Sequence, residues 1–177
     1  MDATTAQYLE MHNANPSTFS GRSTRFHVQP VKNLIDQYSA QSILDYGCGQ
    51  GEQYSKSGAD KVWGISPALY DPGVDRYSTL PAGQFDGVIC IDVLEHIIIE
   101  ELPGILDEIQ RCASKFVYLV IAQFEVRDTL PDGRMAHVSI FSDDKWLGMI
   151  RENLMVPTHV VFRTSGNSFK FPVVLVP

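Results

Sequence analysis

The stretch that decides the fold runs from Ile43 to Gly51 and reads Ile-Leu-Asp-Tyr-Gly-Cys-Gly-Gln-Gly. A short apolar run ends in an acid and is followed by glycines at positions 47, 49 and 51. Glycine adopts backbone conformations that other residues avoid, and it lets a ligand approach where a Cβ atom would collide. A strand that enters a helix through such a loop forms a cradle of the kind that holds nucleotides. We therefore predict a strand, a ligand-binding turn and a helix here.

The spacing of the glycines argues against a dinucleotide site. That fingerprint places glycines at the first, third and sixth positions of the loop. Counted from Gly47, the sixth position is Glu52, and a carboxylate there would face a pyrophosphate at the N-terminus of the helix. Gly51 is followed directly by Glu52 and not by a Lys-Ser or Lys-Thr pair, so the sequence also excludes a P-loop.

Apolar patterning along the rest of the chain alternates between strands and helices. Helices are predicted over residues 26–38, 51–57, 100–113 and 143–153, the last with Ser142 as its N-cap. Candidate strands are predicted over residues 42–46, 61–65, 68–71, 77–80, 85–91, 116–122, 156–163 and 169–176. The last two are joined by a hairpin turn. This order predicts an α/β protein with a mainly parallel sheet that ends in an antiparallel strand.

A second motif, Cys-Ile-Asp-Val-Leu-Glu-His-Ile at residues 90–97, follows a predicted strand. Together with the glycine loop it resembles the motifs of class I S-adenosylmethionine (SAM) dependent methyltransferases. The resemblance implies a three-layer Rossmann-like sandwich around a seven-stranded, mostly parallel sheet. It also implies one domain over residues 1–177, with an N-terminal helical cap segment at 1–40 and a SAM-binding core at 41–177.

The resemblance further implies which residues bind SAM. In the first motif and the second they are Asp45, Tyr46, Gly47, Cys48, Gly49, Gly51, Asp92, Val93 and Leu94. The ribose of SAM calls for a carboxylate after the second strand, because its two hydroxyls can both donate to one bidentate acceptor. If that strand is 61–65, Ser66 stands where the acid is expected. We favour Asp71, flanked by Tyr70 and Pro72, although Asp-Pro-Gly is also an ordinary turn sequence.

Two histidines are candidates for a general base. His12 and His137 belong to segments, 1–25 and 123–141, that are expected to cover the mouth of the site. A neutral imidazole there can take a proton from a hydroxyl or amine acceptor, and a bracing role for His137 is an equal alternative. Asp92, Glu95 and His96 suggest a metal site, but we interpret Glu95 and His96 as groups that brace the following helix. No metal is expected.

The amino-acid composition bears on the class of substrate and on the cellular compartment of the protein. The 177 residues carry a formal charge of −7, and lysines and arginines form no basic run, so a nucleic acid substrate is not expected. The three cysteines form no C-x-x-C pair, and no apolar run reaches transmembrane length, so a cytoplasmic protein is predicted. The sequence predicts SAM-dependent methyl transfer to a small-molecule hydroxyl, amine or carbon. The alternatives are a non-catalytic binding protein of the same fold and an NAD-dependent oxidoreductase.

Overall fold

A seven-stranded sheet organises the computed structural model, which describes residues 7–8, 10–11, 22–170 and 172–177. Its strands are β1 (Ile43–Tyr46), β2 (Ala68–Tyr70), β3 (Phe85–Ile91), β4 (Ala113–Ala122), β5 (Thr158–Ser165), β6 (Ser168–Phe169) and β7 (Val173–Leu175). The order across the sheet is β2-β1-β3-β4-β5-β6, and β7 also pairs with β5. Strands β1 to β5 pair in parallel, whereas β6 and β7 run antiparallel to β5.

The helices cover the two faces of this sheet. They are α1 (Val28–Gln37), α2 (Glu52–Ser57), α3 (Ala59–Trp63), α4 (Leu102–Cys112) and α5 (Asp143–Asn153). Short 3-10 helices lie at Arg22–Phe26, Asp75–Tyr77 and Leu94–His96. Helices α1 and α3 pack in one apolar cluster with alternate strand residues, and α4 and α5 pack in a second cluster with the other set. Neighbours on one strand therefore face opposite layers: Ile43 joins the first cluster and Leu44 the second.

The predicted α/β, Rossmann-like class is confirmed, and several element bounds agree with the prediction. Strand β3 and helix α5 occupy the predicted residues, and the Ser142 hydroxyl accepts a hydrogen bond from the backbone N–H of Lys145 at 3.4 Å. The predicted hairpin is present, but its return strand is divided into β6 and β7. Both pieces pair with β5.

The strands predicted at 61–65 and 77–80 are wrong. Residues 61–63 belong to α3, a short helix flanked by Gly58 and Gly64, which both have left-handed backbone conformations. This helix buries Ala59 and Trp63, which lie four residues apart on one face, and leaves Val62 exposed. Because the helix has only five residues and Val62 and Trp63 are adjacent, its sequence resembles a short strand. Residue 77 ends a 3-10 helix. The second strand of the sheet is therefore Ala68–Tyr70.

Candidate active site

The glycine loop lies at the carboxyl end of β1, as predicted. Gly47, Gly49 and Gly51 all have positive φ values, of 81°, 56° and 69°. The backbone N–H groups of Gly47 and Cys48 both donate to the carbonyl oxygen of Tyr70, at 2.8 and 3.0 Å. The loop is therefore fixed to the end of β2, the neighbouring strand.

A side chain would collide at Gly47 and would be tightly packed at Gly51. A Cβ atom at Gly47 would lie 2.3 Å from Cγ2 of Val93, and one at Gly51 would lie 3.2 Å from the Tyr77 hydroxyl. Val93 follows β3, so close packing at Gly47 brings the two sequence motifs into contact. The loop needs glycine both for its backbone conformation and for this approach.

Asp71 directly follows β2 and lies against the glycine loop. One carboxylate oxygen accepts the N–H of Gly49 at 2.7 Å, and the other accepts the N–H of Gly73 at 2.9 Å. Ser66 is exposed and precedes β2, so it lies at the opposite end of that strand. The structure thus places Asp71, and not Ser66, beside the loop. Tyr70 and Pro72 flank it and are partly buried.

The side chains of the first motif are turned into the protein. Asp45 is 2% exposed, and its Oδ2 atom accepts hydrogen bonds from the Gln53 amide and the Tyr54 hydroxyl, both at 2.7 Å. Burial raises the pKa of Asp45 to about 6. The Tyr46 hydroxyl donates to Glu108, and the Cys48 thiol is buried.

Gln53 and Tyr54, which the sequence analysis did not single out, therefore hold Asp45 in place. Arg76 is a second contributor to the loop that was missed, because its guanidinium donates to the backbone carbonyl of Gln50 at 2.6 Å. Hydrogen-bonding side chains in the first turn of the helix after a glycine loop are the only sequence signal for Gln53 and Tyr54. No local signal points to Arg76.

The end of β3 carries a strained acid. Asp92 has a φ of +55°, which is uncommon for a residue other than glycine. Its Oδ2 atom lies 2.9 Å from Nη1 of Arg163, which comes from β5. Burial raises the pKa of Asp92, and the Arg163 charge opposes that shift. Val93 packs on Gly47, whereas Leu94 is fully buried in the core.

A cluster of ionisable groups follows Asp92. Glu95 is 0% exposed, and its neighbour His96 lies against His137, with ring centroids 4.8 Å apart. Nδ1 of His96 lies 2.9 Å from the carbonyl oxygen of Ala136, and Nδ1 of His137 lies 2.6 Å from that of Phe124.

Burial lowers the pKa of His96 to about 3 and also lowers that of His137. Both imidazoles are therefore neutral near pH 7. The Tyr8 hydroxyl contacts His96 and donates to the carbonyl of Ala136 at 2.7 Å. Tyr8 was not predicted as a site residue. His12, the other candidate base, lies outside the described residues.

A surface pocket of about 400 Å³ adjoins this cluster. Its wall is mostly apolar, with a few polar groups, and consists of Ile98, Ile99, Glu100, Arg134, Met135, His137, Val138, Ser139 and Phe141. This size lies in the range of small-molecule sites. His137 is the residue that the pocket shares with the cluster.

Comparisons with known proteins agree with this arrangement. The sequence model of a family described as a methyltransferase domain matches residues 25–169. Among solved structures, the chain is similar to Burkholderia thailandensis 1,6-didemethyltoxoflavin-N1-methyltransferase, whose structure contains 1,6-didemethyltoxoflavin and S-adenosylhomocysteine. The TM-score is 0.58 at 14% identity, over 86% of this chain and 76% of that one.

No curated protein sequence matches the chain significantly. Among the described helices, none is long and apolar enough to cross a membrane. The family match covers most of the sheet and both motifs, and it confirms the prediction of an enzyme whose cofactor is SAM. The chain therefore belongs to the methyltransferase domain family and is a class I methyltransferase.

Proposed function

We propose that this enzyme transfers the methyl group of SAM to a small-molecule acceptor and releases S-adenosylhomocysteine (SAH). The observation that carries this proposal is the joining of the glycine loop to Asp71 at the carboxyl ends of β1 and β2. Ligands of open α/β sheets bind at this edge. The loop offers backbone close to a ligand, and the neighbouring acid offers acceptors for a diol.

The residues at this edge fit the separate parts of SAM. The backbone from Gly47 to Gly51 would surround the amino-acid portion. Asp71 would accept the ribose hydroxyls, since each of its oxygens carries one backbone hydrogen bond and a carboxylate has about four acceptor positions. Tyr70 and Pro72 would flank the adenosine.

The other predicted cofactor-binding residues would form the wall of the site or support it from the protein interior. Asp92 and Val93 would form the wall opposite Asp71. The buried side chains of Asp45, Tyr46 and Leu94 would support the cradle from within. Cys48 is also buried and would contribute its backbone.

The chemistry needs alignment more than covalent help from the protein. SAM supplies a methyl group on a positively charged sulfur. The acceptor must be held in line with that methyl group. An acceptor with a hydroxyl or amine proton also needs a proton acceptor nearby. Nδ1 of His137 faces a carbonyl oxygen, which only accepts, so Nδ1 carries the proton and Nε2 carries the lone pair. We propose that Nε2 of His137 takes the acceptor proton.

The acceptor would enter from the pocket beside His137. The pocket's size suits a small molecule, and the similar Burkholderia enzyme is described with a small-molecule acceptor. The formal charge of −7 disfavours a nucleic acid. The N-terminal segment would cover this side, because Gln7 hydrogen-bonds to Asp132 and Tyr8 contacts His96. The three cysteines are buried free thiols, which suits a cytoplasmic enzyme.

Calorimetric titration with SAM, SAH and NAD tests the proposal directly. We expect SAM and SAH to bind and NAD to show no heat of binding. Binding of NAD alone would favour an oxidoreductase, and binding of none of the three would favour a non-catalytic protein that retains the fold. Either result would contradict the proposed function.

A further inference from the structure

The cluster at Glu95, His96 and His137 has the composition and geometry of a metal site. Each residue offers one ligand atom, and these atoms all lie within 4.8 Å of one another. Two imidazole nitrogens and one carboxylate oxygen form a common protein ligand set for a divalent transition metal such as zinc. The three residues are brought together by the 3-10 helix after β3 and by the loop after β4.

Hydrogen bonds to backbone carbonyls fix which nitrogen of each imidazole carries the proton. Nδ1 of His96 faces the Ala136 carbonyl at 2.9 Å, and Nδ1 of His137 faces the Phe124 carbonyl at 2.6 Å. A backbone carbonyl only accepts, so both rings carry the proton on Nδ1 and present the lone pair of Nε2. Histidines that bind metals almost always donate their second nitrogen in this way.

The burial of Glu95 is a second, independent observation that points to a metal ligand. Its side chain is 0% exposed, and neither carboxylate oxygen has a partner with hydrogen-bond geometry among the described residues. The backbone N–H groups of Glu95 and Ala122 lie near enough to influence the carboxylate, but neither completes a hydrogen bond. A buried carboxyl group without donors is costly to ionise, and a bound metal ion would offset that cost. The nearby cation, Arg163, already pairs with Asp92 at 2.9 Å.

We propose that Glu95, His96 and His137 bind a divalent first-row transition-metal ion, with one or more coordination positions open toward the acceptor pocket. The nitrogen ligands favour zinc, cobalt or a similar ion over magnesium or calcium. Asp92 stays with Arg163 and is not a ligand. This differs from the sequence interpretation, in which Glu95 and His96 only brace the following helix.

The catalytic consequence rests on the proposed function. His137 lines the pocket, so an ion held by its Nε2 would lie where the acceptor enters. A hydroxyl of the acceptor bound to that ion would lose its proton to water more easily. The oxygen lone pair would then form the new bond to the methyl carbon, while the carbon–sulfur bond pair returns to sulfur. A bound metal would occupy the lone pair of Nε2 of His137, so the metal would ionise the acceptor in the loaded enzyme and His137 would act as the base only in the metal-free enzyme. An acceptor ionised in this way is an oxygen nucleophile.

Metal binding is tested on the full chain without SAM or an acceptor. Protein stripped with a chelator is titrated with Zn²⁺ by calorimetry and with Co²⁺ by visible ligand-field absorption. We expect one equivalent of each and cobalt bands typical of a site with nitrogen and oxygen ligands. The absence of binding, or bands from thiolate ligation, would overturn the proposal, since no cysteine is among the three proposed ligands.

Two variants test which residues bind the metal ion. Glu95→Gln keeps the shape of the side chain, and His137→Gln removes one nitrogen ligand; each is expected to weaken Zn²⁺ binding by at least tenfold. His159→Gln is the matched control, because His159 is a buried histidine near the other end of the sheet that hydrogen-bonds to Tyr38. Retained SAH binding shows that a variant is folded. If Glu95→Gln and His137→Gln bind Zn²⁺ as tightly as His159→Gln does, the assignment is wrong.

The same measurements separate this inference from the proposed function. Zinc binding that depends on Glu95, without any SAH binding, would leave the metal site standing and contradict the methyltransferase proposal. SAH binding together with methyl transfer that survives complete chelation would contradict the catalytic role of the metal and leave His137 as the base.

Discussion

The backbone N–H of Gly49 donates a hydrogen bond to Oδ2 of Asp71 across 2.7 Å, which joins the turn after β1 to the acid after β2. The second oxygen of Asp71 accepts the N–H of Gly73 at 2.9 Å. Loop conformation and acid position are therefore coupled, because neither can move without breaking a buried, charge-assisted hydrogen bond. This pair links the two parts of the proposed cofactor site before any ligand binds.

Asp71→Ala is expected to weaken SAH affinity by about 1–3 kcal/mol, the usual loss when hydrogen bonds to a charged partner are removed. Both the proposed ribose contacts and the Gly49 contact disappear in this variant. Calorimetric titration measures the change. Ser66→Ala is the control, and it should leave the affinity unchanged, because Ser66 lies before β2 and is exposed. A larger loss from Ser66→Ala than from Asp71→Ala would show that the ribose is bound elsewhere.

Gly47→Ala is expected to destabilise the protein and to weaken SAH binding together. The positive φ alone costs roughly 1–2 kcal/mol for a residue with a Cβ atom, and the new Cβ would also lie 2.3 Å from Val93. Gly83→Ala separates the two effects, because Gly83 has a φ of +97° and a Cβ added there would meet no atom within 4 Å. Urea unfolding should show a greater loss for Gly47→Ala, and equal losses would mean that the Val93 contact is easily relieved.

Strong local signals explain which elements the sequence predicted. Strand β3 contains the apolar run Val88 to Ile91, which is buried in the sheet centre, and helix α5 begins with a hydroxyl cap and two acids. Helix α3 has only five residues, too few for its period to differ clearly from a strand. Its misreading displaced the second strand and left the ribose acid uncertain between Ser66 and Asp71.

Site residues that directly follow strands could be predicted from the sequence, whereas contacts between segments far apart in the sequence could not. Asp71 and Asp92 lie at strand ends, which the sheet topology brings to one edge. Tyr8 reaches His96 across 88 positions of sequence, and Arg163 pairs with Asp92 from β5. Such contacts depend on tertiary packing that no local pattern encodes. The burial of Glu95 without hydrogen-bond partners is also visible only in three dimensions.

His137→Ala is expected to lower turnover by about 10²–10⁴-fold, the usual range for loss of a group that assists proton transfer. SAH affinity should stay nearly unchanged, because His137 contacts Phe124 and His96, which lie outside the glycine loop. Steady-state kinetics and calorimetry separate the two quantities. His159→Ala should keep full turnover, and added imidazole should restore part of the activity of His137→Ala. Full activity in His137→Ala would leave this histidine with only a bracing role.

Asp45 is expected to make the ligand-free protein less stable as the pH rises from 5 to 7.5. Burial raises its pKa from 3.8 to about 6 in the folded state. Between these values the folded protein binds more protons than the unfolded chain, so stability falls with rising pH. The shift corresponds to about 3 kcal/mol in full, of which roughly 1 kcal/mol is lost above pH 5.

Asp45→Asn isolates this contribution, because its amide oxygen can still accept from Gln53 or Tyr54 but does not ionise over this range. All other titrating groups are shared, so the difference in unfolding free energy between the wild type and Asp45→Asn reports Asp45 alone. Urea unfolding at pH 5 and pH 7.5 should show the wild type losing stability relative to the variant. A difference that stays constant, or that changes in the opposite direction, would mean that the Gln53 and Tyr54 hydrogen bonds outweigh the burial of the charge.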